Sequence, residues 1–165
     1  MGDEPLDGLA QLRAMMATGR GGAPIVELFE LALVEIEAGH AVFEGTPDRR
    51  FYNPIGSVHG GYAATLLDSA CGIAVHSRLS PGQGYTTLEL KVAYHRALTD
   101  RSGRVRATGR VVTLGRRAAF AEATLHDGEG RLCASATSTL LVFDRPAGAA
   151  RDATTSRGTS PPAGD

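Results

Sequence analysis

A chain of 165 residues with a formal net charge of −1 and 42% hydrophobic residues is long enough for one packed core, and its charge gives no pull toward nucleic acid or an anionic membrane. No basic-then-apolar leader opens it, and no apolar run reaches membrane-spanning length. The two cysteines, Cys71 and Cys133, sit singly inside apolar segments and read as buried free thiols of a reducing compartment, so the expectation is one soluble cytoplasmic domain.

Leu6 to Thr18 places Leu6, Leu9, Leu12 and Met15-Met16 at helical spacing and predicts a short amphipathic helix, which Gly19 to Pro24 ends. Residues 1–24 are thus read as a helix and linker ahead of a main domain at 25–144. Leu28 to Glu37 reads as a strand, Ala38-Gly39 as a turn and His40 to Thr46 as the returning strand, followed by a loop from Pro47 to Gly56. Gly61 to Leu79 is the one long helical segment, apolar over a broad sector, with Asp68 its only acid. Ala64 and Gly72, four residues to either side of Asp68, are both small, and a mid-helix glycine needs a reason, either plain helix–sheet packing or close approach by another chain or a ligand.

From Tyr85 the period changes to two, with Leu88, Leu90, Val92 and Tyr94 on one face and Thr87, Glu89 and Lys91 on the other. Val105, Ala107, Gly109 and Val111 alternate with Arg104, Arg106, Thr108 and Arg110. Turn signals at Leu114-Gly115 and Asp127 to Gly130 make Arg117 to His126 and Arg131 to Phe143 the last two strands, dense in alanine. The tail at 145–165, rich in Pro, Ala, Gly, Ser and Thr, predicts disorder. The fold class is α+β: one apolar helix wrapped on one side by a mostly antiparallel sheet, whose outer face is solvated or used in assembly.

The chemistry concentrates in Asn53-Pro54-Ile55-Gly56-Ser57-Val58-His59-Gly60-Gly61, at the entrance to the long helix. Backbone N–H groups there are unpaired and sit at the helix's positive pole, so they can hold a developing negative charge. Gly60 and Gly61 have no side chain to block a ligand, although a tight turn into a helix is the ordinary use of such a pair. Asn53 before Proline is by default a turn former; its amide is alternatively available to orient a water or a carbonyl. His59 is a candidate donor to a departing thiolate. Asp68 is either a satisfied structural carboxylate or a functional one, acting as general base on water or as nucleophile on an acyl carbon.

The arginines between Lys91 and Arg117 read mostly as a solvated sheet face; Arg116 and Arg117, near a hairpin end, are the candidates for holding phosphates of a nucleotide carrier. No aromatic residues interleave with them as a nucleic-acid surface requires. The histidines lack metal-ligand spacing, and neither a glycine-rich phosphate loop nor a Ser or Cys nucleophile elbow is present, so no metal is expected.

The Asn53 to Gly61 run, Asp68, and Tyr85-Thr86-Thr87-Leu88-Glu89-Leu90 together resemble the hotdog-fold acyl-CoA thioesterases, specifically the phenylacetate-degradation (PaaI-like) branch, over roughly Leu28 to Phe143. The resemblance implies a long helix wrapped by a curved antiparallel sheet, homodimers joined sheet edge to sheet edge, and pairing of dimers into a homotetramer. It implies an active site at the dimer seam, with Asp68 as the catalytic carboxylate facing the other subunit's Asn53, His59 and Gly60. Gly60 N–H would polarise the thioester carbonyl, and Thr87 would help hold the water; since simple alternation turns Thr87 away from the helix, either the strand entry is irregular there or Thr86 or Thr87 contacts the neighbouring subunit. The substrate would be an acyl-CoA, with CoA part of the substrate and no cofactor. Two rivals are a non-catalytic acyl-CoA binder or sensor on the same fold, which needs no Asp68, and a scaffold oligomer, which needs no cleft between subunits.

Overall fold

The computed structural model describes residues 5–19 and 22–146. Asp7 caps the first helix by accepting from the Ala10 N–H at 2.8 Å, so α1 spans Gly8–Thr18 and Leu6 stays outside it, largely exposed. Gly19, at φ 60°, ends α1 in the left-handed conformation that glycine tolerates best. The strand expected from Leu28 is corrected here. Pro24 favours a helix start, and a short helix α2 (Pro24–Leu28) forms instead. The chain then reverses through Glu30 at φ 53°, and β1 begins only at Ala32.

β1 (Ala32–Glu37) and β2 (His40–Gly45) form a hairpin, and a single 3-10 turn, Arg49–Phe51, leads to the entrance loop. The long helix α3 runs Gly60–His76, and four strands follow: β3 (Gln83–Tyr94), β4 (Val105–Leu114), β5 (Ala118–His126) and β6 (Leu132–Asp144). All pairings are antiparallel, in the order β1-β2-β4-β5-β6-β3, so β1 and β3 are the two edges. Of the tail, Arg145 still donates its N–H to the Gly82 carbonyl at 2.7 Å; 147–165 lie outside the described residues.

Small side chains explain how the sheet wraps α3. Ala107, Ala119, Ala121 and Ala123 are buried beneath the helix. At Gly109 of β4 a Cβ would lie 2.3 Å from the Ala70 carbonyl oxygen, so helix backbone rests directly on strand backbone. Leu66, Leu67, Ala70, Cys71 and Val75 of α3 are fully buried against this surface. Burial pushes the Cys71 thiol up to about 12, the nearby Asp68 charge adding to it, and both cysteines are free. On the outer face Arg106 pairs with Glu44 at 2.7 Å and also with Glu35, and Arg104 reaches Glu44 at 3.4 Å, so much of the basic run is matched by strand acids.

One irregularity matters for the site. The β3–β6 register shifts between Thr87 and Glu89, a β-bulge that leaves Leu88 63% exposed. Simple alternation therefore fails across Leu88: Leu90 and Val92 pack on the core, as expected, but from the other parity Tyr85 packs there too and Thr87 reaches Asp68 of the helix.

Candidate active site

α3 begins where His59 turns its ring back onto the helix. The His59 Nδ1 accepts from the Gly61 N–H at 2.8 Å, which caps the first turn and leaves the proton of a neutral imidazole on Nε2. A Cβ on Gly61 would sit 2.9 Å from that Nδ1, so the cap itself requires the glycine. The neighbouring donors are also used. Val58 N–H goes to the Leu98 carbonyl at 2.9 Å, His59 N–H to the Phe51 carbonyl at 2.7 Å, and Tyr62 N–H to the His59 carbonyl at 3.0 Å. Gly60 N–H alone in this run has no acceptor among the described residues. Its carbonyl is fixed from the other side by the Tyr94 hydroxyl, which donates at 2.9 Å.

Asn53 behaves as the turn former its position before proline suggests. Its Oδ1 accepts from the N–H groups of Ile55 at 3.1 Å and Ser57 at 3.2 Å, and its Nδ2 donates to Ser57 Oγ at 3.1 Å. The carboxamide oxygen is therefore occupied, while one Nδ2 proton stays available. This loop and the first turn of α3 line a pocket of about 440 Å³, together with Tyr94, His95 and Arg96.

Asp68 opens elsewhere. Eight residues beyond Gly60, or about 12 Å along the helix at about 1.5 Å per residue, it faces a separate cavity of about 620 Å³. Thr87 Oγ1 donates to Asp68 Oδ1 at 3.0 Å, and the bulge at Leu88 is what brings Thr87 to this face. No other hydrogen bond to the Asp68 side chain exists among the described residues, so the carboxylate keeps most of its acceptor capacity for a ligand.

Gly72 has a cause inside its own chain. A Cβ there would meet Tyr85 Cε2 at 3.0 Å and its hydroxyl at 3.1 Å, so the ring of Tyr85 lies directly over the glycine. Of the two readings the sequence left open for this glycine, helix–sheet packing is the one found, since Tyr85 belongs to β3. Burial, and then the Asp68 charge, push the Tyr85 phenol up to about 12, so it stays a neutral donor beside the carboxylate. Neither Tyr85 nor Tyr94 is singled out for a role by the sequence; their parity about the bulge is the only signal, and the bulge hides it.

Within one protomer, then, His59, Gly60 and Gly61 gather at the start of α3 and line one cavity, Asp68 and Thr87 gather in its middle and line another, and Asn53 sits in the entrance loop outside the lining of both. Arg116 and Arg117 stand at the β4–β5 turn, exposed and without ion pairs among the described residues, beside Gln83 at the start of β3. Among the described residues no cluster of His, Cys, Asp and Glu is arranged to hold a metal, and no helix is long and apolar enough to cross a membrane.

The model of the thioesterase superfamily matches residues 55–134, which include the last part of the entrance loop, Asp68 and Thr87. The proofreading thioesterase EntH of Cronobacter sakazakii is 31% identical over 134 residues, covering 80% of this chain and 93% of that one. Its counterpart from Klebsiella pneumoniae is 34% identical over 98 residues, 59% of this chain and 70% of that one. Among solved structures, a conserved protein of Pseudomonas aeruginosa is 31% identical with a TM-score of 0.69, over 74% of this chain and 95% of that one. The E. coli PaaI protein of the phenylacetic acid degradation operon shares the fold at a TM-score of 0.73 and 17% identity, over 84% of this chain and 95% of that one. With one helix wrapped by a six-stranded antiparallel sheet and these relatives, the chain belongs to the thioesterase superfamily and is a hotdog-fold thioesterase.

Proposed function

We propose that the protein hydrolyses acyl-CoA thioesters in a two-fold dimer, with Asp68 of one protomer working against Gly60 and Asn53 of the other. The observation that carries this reading is the position of the two half-sites along one unpaired strand edge. β3 is an edge of the sheet; Tyr85 and Thr87 near its start lie by Asp68, while Tyr94 at its end holds Gly60. An edge strand is a template for another strand, and antiparallel pairing about a two-fold near the middle of β3 sets the start of one copy against the end of the other. Asp68 of each protomer then approaches its partner's helix entrance, and two equivalent sites form.

In such a site the thioester carbonyl oxygen accepts from the Gly60 N–H, which has no acceptor among the described residues, and from the remaining Nδ2 proton of Asn53. Asp68, steadied by Thr87, either takes the proton of a water that attacks the carbonyl carbon or attacks that carbon itself. In the first route the tetrahedral adduct collapses with cleavage of the C–S bond. In the second, the acyl-carboxylate anhydride formed with loss of thiolate is cleaved by water. The Nε2 proton of His59 is the donor for the leaving sulfur. Arg116 and Arg117, uncommitted and exposed, suit the phosphates of CoA, so CoA enters as substrate and no separate cofactor is required. Pairing of dimers into a tetramer and residence in the cytoplasm complete the reading; two free buried cysteines are in keeping with a reducing compartment.

Mixed dimers test it directly. Asp68→Asn alone should lower thiol release from acyl-CoA by about 10²–10⁴-fold, the usual contribution of a general base. Gly60→Val, which drives a side chain into Tyr94, should also be inactive. Refolded together in equal amounts, the two variants should recover about a quarter of wild-type activity, because half the dimers are mixed and each mixed dimer holds one intact site of two. No recovery on mixing, with dimers present, would rule out a shared site.

A further inference from the structure

The cavity that Asp68 faces extends past the carboxylate to residues of α1 and α2. α1 is clamped at its start and buries Leu12 at its middle. Gly8 donates its N–H to the Leu79 carbonyl at 3.0 Å, and a Cβ on Gly8 would collide with the His76 carbonyl, so the start of α1 is clamped to the end of α3. One turn on, His76 Nε2 lies 3.3 Å from Gln11 Oε1; since Gln11 Nε2 already donates to the Leu6 carbonyl, the amide oxygen is the acceptor. Beyond this clamp α1 carries Met15 and Met16 along the cavity, and Ile25 of α2 lies beside them. Met16 is 36% exposed and Ile25 47%, large apolar side chains left partly in water at the margin of a mostly apolar hollow.

We infer that this cavity receives the hydrocarbon tail of a neutral acyl group, and that Met15, Met16 and Ile25 set how long a tail is accepted. The inference rests on the hydrolytic reading of Asp68 and adds the class of acyl group. Continuity supports it: the same hollow is lined by Asp68 and Thr87, where the thioester would sit, and by the apolar Phe43 and Ile73. Charge supports it as well. Two carboxyl side chains, Glu27 and Asp68, line it with no Lys or Arg among the described lining residues, and burial lowers the pKa of the His76 imidazole there, so a tail ending in a carboxylate would meet repulsion and desolvation. Unbranched methionine side chains suit a wall that must yield to tails of different length.

The test uses the full chain with Met15→Trp and, at the more exposed position, Met16→Trp. Affinity is read for S-methyl-CoA and S-octyl-CoA, thioethers with no carbonyl to hydrolyse, and kcat/KM for acetyl-CoA and octanoyl-CoA. In the wild type each methylene entering the cavity should tighten binding about fourfold. Either tryptophan should reduce the octyl-over-methyl preference by about tenfold, and the octanoyl-over-acetyl ratio of kcat/KM with it. If wild-type binding ignores tail length, or if both tryptophan variants keep the wild-type preference, the inference is overturned whether or not thiol is released. If no ester is hydrolysed while the thioether preference responds as expected, the tail pocket stands and the hydrolytic reading of Asp68 falls.

Discussion

The entrance of α3 and its middle handle polar groups in opposite ways. At the entrance nearly everything is spent internally: Asn53 Oδ1 holds two loop N–H groups, His59 Nδ1 holds Gly61, and Val58, His59 and Tyr62 donate to carbonyls, which leaves Gly60 N–H and one Nδ2 proton. In the middle, Asp68 has a single hydrogen-bond partner among the described residues, Thr87, and opens on a large cavity. One region is a rigid frame that exposes a few donors; the other is a lightly held acceptor. Catalysis of acyl transfer needs both, and about 12 Å of helix separates them at about 1.5 Å per residue, so one protomer offers two complementary halves.

That contrast is open to attack at the entrance first. Asn53→Asp keeps the oxygen that organises the loop but removes the Nδ2 donor and adds charge. Loop and helix should stay as stable as in the wild type, while kcat falls by about 10²–10³-fold, the usual loss for one oxyanion donor. Asn53→Ala should lose activity and also melt earlier, since two loop N–H groups lose their acceptor. If Asn53→Asp retains full turnover, the side chain serves the turn alone and Gly60 must hold the oxyanion unaided.

The middle is next. Thr87→Ala removes the hydrogen bond that Thr87 Oγ1 donates to Asp68, and a bond to a charged acceptor is worth about 1.5–3 kcal/mol, so kcat should drop about 10–100-fold with KM little changed. Thr87→Ser, which keeps the hydroxyl, should restore most of it. Equal losses in alanine and serine variants would mean that packing at the bulge, rather than the hydroxyl, is what the site uses.

Much of this was legible in the sequence. Alternation marked the last four strands, low charge marked α3, and Asp68 and Gly60 stood out through chemistry and spacing. What escaped was non-local. The bulge at Leu88 changes the parity of β3, and nothing in Thr87-Leu88-Glu89 announces it; only pairing with β6 does. Alternation therefore turned Thr87 outward when it binds Asp68. Gly72 was recognised as needing a close neighbour, but Tyr85, thirteen residues on, was not identifiable before the strand was laid against the helix. Apolar content alone did not separate α2 from β1 around Leu28, where Pro24 and the left-handed Glu30 decided the outcome.

The smallest expected effect probes how the entrance is supported from beneath. Tyr62, in the first turn of α3, packs its ring 4.8 Å from that of Phe51 and 5.9 Å from that of Phe29, centroid to centroid. Its side chain is 1% exposed, and the hydroxyl has no hydrogen-bond partner among the described residues; it abuts Gly45, where a Cβ would lie 2.5 Å from the oxygen. An unpartnered buried hydroxyl costs about 1–3 kcal/mol of desolvation, so the ring anchors the entrance and the oxygen opposes it. Tyr62→Phe should raise stability by about 1 kcal/mol, seen as a melting temperature about 2–4 °C higher, with hydrolysis unaffected. A lower melting temperature would mean that the hydroxyl gains a partner in the assembled protein, and the entrance would then be held by polar contacts on both sides.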